Sequence, residues 1–104
     1  MDKYIIVTTL CNSEEIANKI VRILLDKKLV AGSQVYKVHS KYWWKNELEE
    51  CDEYKLEFRT KQSLFNKVKD EIIKIHDYDC PEISSYEMLN ADSEFLKWID
   101  DSIK

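Results

Sequence analysis

Glycine and proline are almost missing from this chain of 104 residues, which has one of each. Loops that cradle phosphate need several glycines so that backbone N–H groups can approach the anion. Dinucleotide-binding and P-loop chemistry are thereby excluded. Histidine occurs only at His39 and His76, and no glycine-lined turn is available beside either, so no set of nucleophile, base and oxyanion donors can be assembled. The sequence reads as that of a protein that is not an enzyme. The three cysteines, Cys11, Cys51 and Cys80, are odd in number, far apart and without a C-x-x-C pair. That pattern writes neither a disulfide framework nor a dithiol metal-shuttling loop, and reduced thiols are expected. Long hydrophobic runs are lacking too: MDKYIIVTTLC is apolar for about seven residues before Asn12, too short for a signal peptide or a membrane span. A cytoplasmic location is expected.

What is present describes a small globular body. The length suits one domain over residues 1–104 with one core. A hydrophobic fraction of 44% is ordinary, and a charged fraction of 35% fits a large ratio of surface to volume. The formal net charge of −4 repels phosphate backbones and anionic membranes and mildly attracts cations. Neither a nucleic-acid nor a membrane partner is expected.

The pattern along the chain predicts β-α-β-β-α-β followed by a last helix. Residues 3–10, KYIIVTTL, are β-branched, aromatic and nearly all apolar, as in a strand covered on both faces near the middle of a sheet. Asn12 is placed to cap the next helix, with Glu15 three residues on. In that helix Ile16, Ala17, Ile20, Val21, Leu24 and Leu25 form one stripe. Two strands follow, up to Trp44 and from Leu48 to Thr60, joined by a tight turn at Lys45-Asn46, since Asn tolerates positive φ. Leu64, Phe65, Val68, Ile72 and Ile75 make a second amphipathic stripe, residues 82–89 a fourth strand, and Phe95, Leu96, Trp98, Ile99 and Ile103 a terminal helix. This order is the split β-α-β arrangement, an α+β fold with both crossover helices on one face of an antiparallel sheet. The other face is rich in large aromatics, so we expect it to be shielded by another subunit or by the terminal helix.

Four local signatures resemble the CutA family of divalent-cation tolerance proteins over essentially the whole chain. They are Leu29-Val30-Ala31; the hairpin Tyr42-Trp43-Trp44-Lys45-Asn46-Glu47-Leu48-Glu49-Glu50; His76-Asp77-Tyr78-Asp79-Cys80-Pro81-Glu82-Ile83; and Phe95-Leu96-Lys97-Trp98-Ile99. The resemblance implies a ferredoxin-like subunit, a homotrimer built by strand pairing across subunits, a PII-like shape, and a link to copper or other divalent cations. It also implies a regulatory role, with an unidentified protein partner as one possibility. This chain departs from the family pattern at Gly32, where the family has cysteine, and at Gln34, Asn46 and Asp77. The strand-one cysteine taken as a copper ligand in some members falls on Thr9, so of that ligand set only His76 carries over.

Two residues stand out as candidate metal ligands. His76 is followed by Asp77, Asp79, Cys80 and Glu82, a mixture of nitrogen, oxygen and sulfur donors. It is equally placed to cap the end of its helix. Cys11 follows strand one, where the start of a helix would stabilise a thiolate, and it also suits a small buried hydrophobe. Cys51 lies in the acidic run Glu47 to Glu53, which reads as a solvated hairpin arm. Tyr42 and Trp44 must share one face of their strand and Trp43 the other; with Trp98 these are the candidate subunit contacts. The alternative is a single-stranded RNA-binding module on the same fold, with Tyr54 and Phe58 as stacking aromatics. Acidity counts against it.

Overall fold

The computed structural model describes residues 2–103. Strand β1 (Tyr4–Cys11) is followed by helix α1 (Glu14–Asp26), the long strands β2 (Gly32–Trp44) and β3 (Glu47–Lys61), helix α2 (Phe65–Ile75), the short strand β4 (Ile83–Glu87) and helix α3 (Ser93–Ser102). A 3-10 turn at Gln62–Leu64 leads into α2. The strands form one antiparallel sheet in the order β2-β3-β1-β4, the ferredoxin-like arrangement. Strand β1 is interior, as its composition demands, and pairs with β3 along its whole length and with β4 over Ile5 to Thr9.

Alternation along the strands divides the sheet into two faces. Ile5, Val7 and Cys11 of β1 and Leu56 and Phe58 of β3 turn to one side, where Ala17, Ile20 and Leu24 of α1 and Val68 and Ile72 of α2 close the core over them. Phe58 is wholly buried and Tyr54 packs against the same cluster. These are the aromatics an RNA-binding reading requires on the open face, and that expectation fails because the register points them at the helices. Thr60 is also buried, its Oγ1 donating to the Leu29 carbonyl at 2.7 Å, whereas the buried Thr9 Oγ1 finds no partner among the described residues. Leu25, expected in the buried stripe of α1, is at the edge and exposed.

The opposite face is partly roofed by α3. Its Ile99 is buried, Trp98 lies on Gly32, and Asp100 accepts a hydrogen bond from the Tyr4 hydroxyl at 2.9 Å while pairing with Lys61. The terminal helix thus covers one part of the face expected to need shielding.

Helix ends correct one expectation and refine another. The cap of α1 is Ser13, whose hydroxyl accepts from the Ile16 N–H at 3.3 Å, and Asn12 stands one residue outside it. At the hairpin both Lys45 (φ 51°) and Asn46 (φ 66°) take the left-handed conformation that a two-residue turn needs, and Lys28 (φ 55°) does so after α1. The one glycine is used at none of these positions. Gly32 instead lets a tryptophan ring approach the backbone.

Candidate functional site

Beyond the reach of α1 and α2 the β2–β3 hairpin runs on as an arm, giving the molecule an extent of 44 × 26 × 21 Å. Residues opposite one another in an antiparallel ladder share a face. Trp44 opposite Glu47, Tyr42 opposite Glu49, Ser40 opposite Cys51 and Val38 opposite Glu53 therefore line the face away from the core helices. Trp43, opposite Leu48, turns to the other side, as alternation requires. The loop after α2 faces the arm, and between the two lies an open cleft of about 1070 Å³. Tyr42, Trp44, Cys51 and Glu53 line it from the arm, and Tyr78, Asp79, Cys80 and Glu82 from the loop.

One bond ties its walls together. The Tyr78 hydroxyl donates to Glu53 Oε2 at 2.7 Å, and burial together with this bond raises the Tyr78 phenol well above its ordinary range. Glu53, read from sequence as part of a solvated acidic arm, is only 5% exposed. Tyr42 and Cys51 are in hydrogen-bond contact at 3.7 Å, and this contact, with the carboxylates of Glu53 and Glu49 nearby, pushes the Tyr42 phenol up to about 12.

His76 terminates α2 and its ring is committed on both sides. Its backbone N–H bonds Ile72, its Nε2 lies 2.6 Å from the Leu10 carbonyl, and its Nδ1 accepts the Tyr78 N–H at 3.2 Å. A carbonyl accepts only, so Nε2 carries the proton and Nδ1 the occupied lone pair. The imidazole stitches the end of α2 to the end of β1. As placed, both ring nitrogens are engaged by the protein itself.

Cys11 is the small buried hydrophobe that the sequence allowed. Its thiol is buried, 3.5 Å from the Ser13 carbonyl, and burial pushes it up, against the thiolate that the start of α1 would favour. Among the described residues no group of three or more His, Cys, Asp and Glu side chains is arranged to hold an ion. The other histidine, His39, sits on the opposite face of the arm between Asp52 (2.7 Å) and Glu50 (2.5 Å), which raise its pKa above the ordinary 6.5. With both histidines engaged and Cys11 enclosed, none of the three offers a paired nucleophile and base. Among the described residues no helix is long and apolar enough to cross a membrane.

The sequence over residues 5–102 matches the family model of the CutA1 divalent ion tolerance protein. This chain belongs to the CutA1 family. Its CutA relatives include the Protein CutA homolog of Danio rerio, 34% identical over 89% of this chain, although the chain spans only 63% of that protein. The divalent-cation tolerance protein CutA of Archaeoglobus fulgidus is 33% identical over 88% of this chain and 90% of its own length. A solved structure of the Archaeoglobus protein, described as periplasmic, superposes with a TM-score of 0.90 at 32% identity over the whole of both chains. CutA1 from Pyrococcus horikoshii gives 0.90 at 30% identity, covering 96% of this chain and 98% of its own.

Against the CutA pattern, two departures acquire a physical setting. Thr9, at the position of the strand-one cysteine, is sealed in the core. At Gly32, where the pattern has cysteine, a Cβ would stand 2.9 Å from Trp98 Cη2. Missed from the sequence were Glu53 and Tyr78, whose only advance signal was an acidic run facing a tyrosine-bearing loop.

Proposed function

We propose that the chain acts as a non-catalytic, trimeric divalent-cation tolerance protein of PII-like shape. Membership of the CutA1 family supports the tolerance role, and the character of the β2–β3 arm supports self-association. Trp43 is 73% exposed and Leu48, opposite it, 63%; Leu89, just beyond β4, is 83% exposed. Apolar surface of this extent is a common mark of a protein contact. Strand β2 also presents a free edge of 13 residues, and an unpaired edge invites strand addition by another chain. The buried Arg59 Nη1 has no hydrogen-bond partner among the described residues and only a long ion pair, 3.8 Å, to Glu57 Oε1.

On this reading Tyr42, Trp43, Trp44 and Trp98 belong to subunit contacts, with Trp98 already committed along one edge to Gly32. A divalent ion, copper among the candidates, is proposed as the ligand; at His76 it would have to displace the Leu10 and Tyr78 partners the ring now holds, and at Cys11 it would have to reach a buried thiol. Sedimentation is the direct test: a mass near three times 12.5 kDa supports the assembly. A stable single chain at micromolar concentration overturns it. A copper(II) titration compared between the native chain and His76→Ala tests the ion separately, and equal binding assigns it to other residues. The location proposed is cytoplasmic, and cell fractionation decides it.

A further inference from the structure

The face of the arm that carries Trp43 is built in tiers. Nearest the body Lys37 stands opposite Tyr54, which packs on the core and has the Lys37 Nζ 5.9 Å from its ring centroid. Furthest out is the exposed apolar pair of Trp43 and Leu48. Between these tiers His39 lies opposite Asp52, and Lys41 opposite Glu50. The imidazole spans both steps of the ladder, with Nδ1 2.7 Å from Asp52 Oδ1 and Nε2 2.5 Å from Glu50 Oε2 on the diagonal. The charged groups facing His39 are thus Asp52 and Glu50 from β3 and Lys37 and Lys41 from β2. The carboxylates of the cleft, Glu49 and Glu53 on β3 and Asp77, Asp79 and Glu82 on the loop, belong to the other side of the ribbon.

Such a bridge fixes the state of its own proton. An ionised carboxylate accepts hydrogen bonds and donates none, so an imidazole held by one at each nitrogen must donate from both, and only the imidazolium can. The neutral ring has a single N–H. Loss of the proton leaves a lone pair facing a carboxylate, and one of the two contacts must open. Glu50 has another partner to turn to, since Lys41 Nζ already lies 3.9 Å from the same Oε2. Its contact with His39 is also the one that runs along the ribbon, from the His39 step to the Lys41 step, and the next step outward on that face is Trp43 with Leu48. Deprotonation therefore removes a diagonal tie and one unit of charge immediately beside the apolar tip.

We infer that His39 makes self-association through the arm sensitive to pH: the protonated bridge holds Trp43 and Leu48 in the arrangement that docks on a second copy of the chain, and the neutral ring releases it. This rests on the self-association proposed above and adds its regulation. A histidine is the side chain suited to such a switch, because its charge changes within the physiological range and a small change at one step of a ribbon is read out at the contact beside it. The two carboxylates, by favouring the charged ring, put the change above 6.5. Assembly is then tighter on the acid side of that change and looser on the alkaline side.

The test uses the full chain from about pH 5.5 to about pH 9 at one ionic strength, since exposed charges are screened by salt. Sedimentation gives the assembly state, and exchange of subunits between isotope-labelled and unlabelled pools, followed by mass spectrometry, gives the dissociation rate however tight the assembly. The rate should rise by about two- to fivefold for each docked arm, the scale of one exposed ion pair, along the same curve as the His39 ring titration seen by NMR. His39→Gln, uncharged at every pH, should exchange like the alkaline native form throughout. His39→Arg, always charged and with a forked set of donors, should exchange like the acid form. Circular dichroism confirms the fold of both variants. An assembly whose exchange does not change with pH, or changes alike in the native chain and His39→Gln, overturns the inference and leaves self-association standing. A single chain over the whole range overturns self-association, and the inference with it.

Discussion

Replacing the single glycine by alanine tests how α3 is seated on the sheet. Gly32 has no positive φ to protect, so the backbone alone would gain about 0.4–1 kcal/mol from the loss of unfolded-state freedom in Gly32→Ala. The new methyl, however, would stand 2.9 Å from Trp98 Cη2, where ordinary contact begins at 3.4 Å. The helix cannot simply retreat, because Ile99 is buried beneath it and Asp100 is held by Tyr4 and Lys61. The indole must turn, and it is stacked with Phe95 at a centroid distance of 5.6 Å. Overpacking of this kind costs about 1–3 kcal/mol, and because Trp98 is half-exposed the lower end applies. The net expectation is a destabilisation of about 0.5 kcal/mol, seen as a lowering of Tm by roughly 2–4 °C for a chain of this size. In a Trp98→Leu background the clash is gone, and the same substitution should stabilise by about 0.5 kcal/mol. Urea unfolding of the four proteins at one fixed concentration measures the coupling, since association would otherwise enter the comparison. Equal effects of Gly32→Ala in both backgrounds would refute the steric reasoning.

Three further expectations concern single groups. Thr9→Val, which replaces a buried and unpartnered hydroxyl, should leave stability unchanged or raise it by up to about 1 kcal/mol, whereas Thr60→Val, which strands the Leu29 carbonyl, should lower it by about 1–2 kcal/mol; chemical denaturation distinguishes the two. Ser13→Ala should destabilise by about 1 kcal/mol and Asn12→Ala by much less, and the reverse order would reassign the cap of α1. His39, raised by Asp52 and then Glu50, should titrate above 6.5 by NMR and fall back in Asp52→Asn. Because its folded-state pKa is raised, the clamp contributes below pH 6.5 and is lost as pH rises through the higher value, so the arm should loosen on the alkaline side.

Much of the architecture could be read from periodicity, because the stripes of α1 and α2 and the alternation of β3 are dictated by the core they build. The turn at Lys45-Asn46 was legible from Asn46, although Lys45 shares its conformation for reasons of strand twist that a residue preference does not reveal. The cap of α1 was misplaced by one residue since Asn12 and Ser13 are both competent and only the entry angle of β1 chooses between them. Tyr54 and Phe58 show why alternation alone was insufficient: it separates two faces without saying which one the helices take. The candidate site was least legible. Nothing local in the acidic run distinguishes Glu53 from its neighbours, since its burial arises from a tyrosine 25 positions away. His76 was recognised as a residue of consequence, yet the partners of its two nitrogens come from β1 and from the next loop, and only the assembled fold brings those together.

The interior position of β1 bears on how the molecule is made. Its neighbours in the sheet are β3 and β4, never β2, which follows it most nearly among the strands, so β1 must wait for β4, the last of the four strands to be made. During synthesis the hairpin can zip locally while the N-terminal segment remains without its second ladder until residues 83–87 have emerged. A ribosome stalled before that point would therefore display an apolar strand with one naked edge, the species most in need of a chaperone.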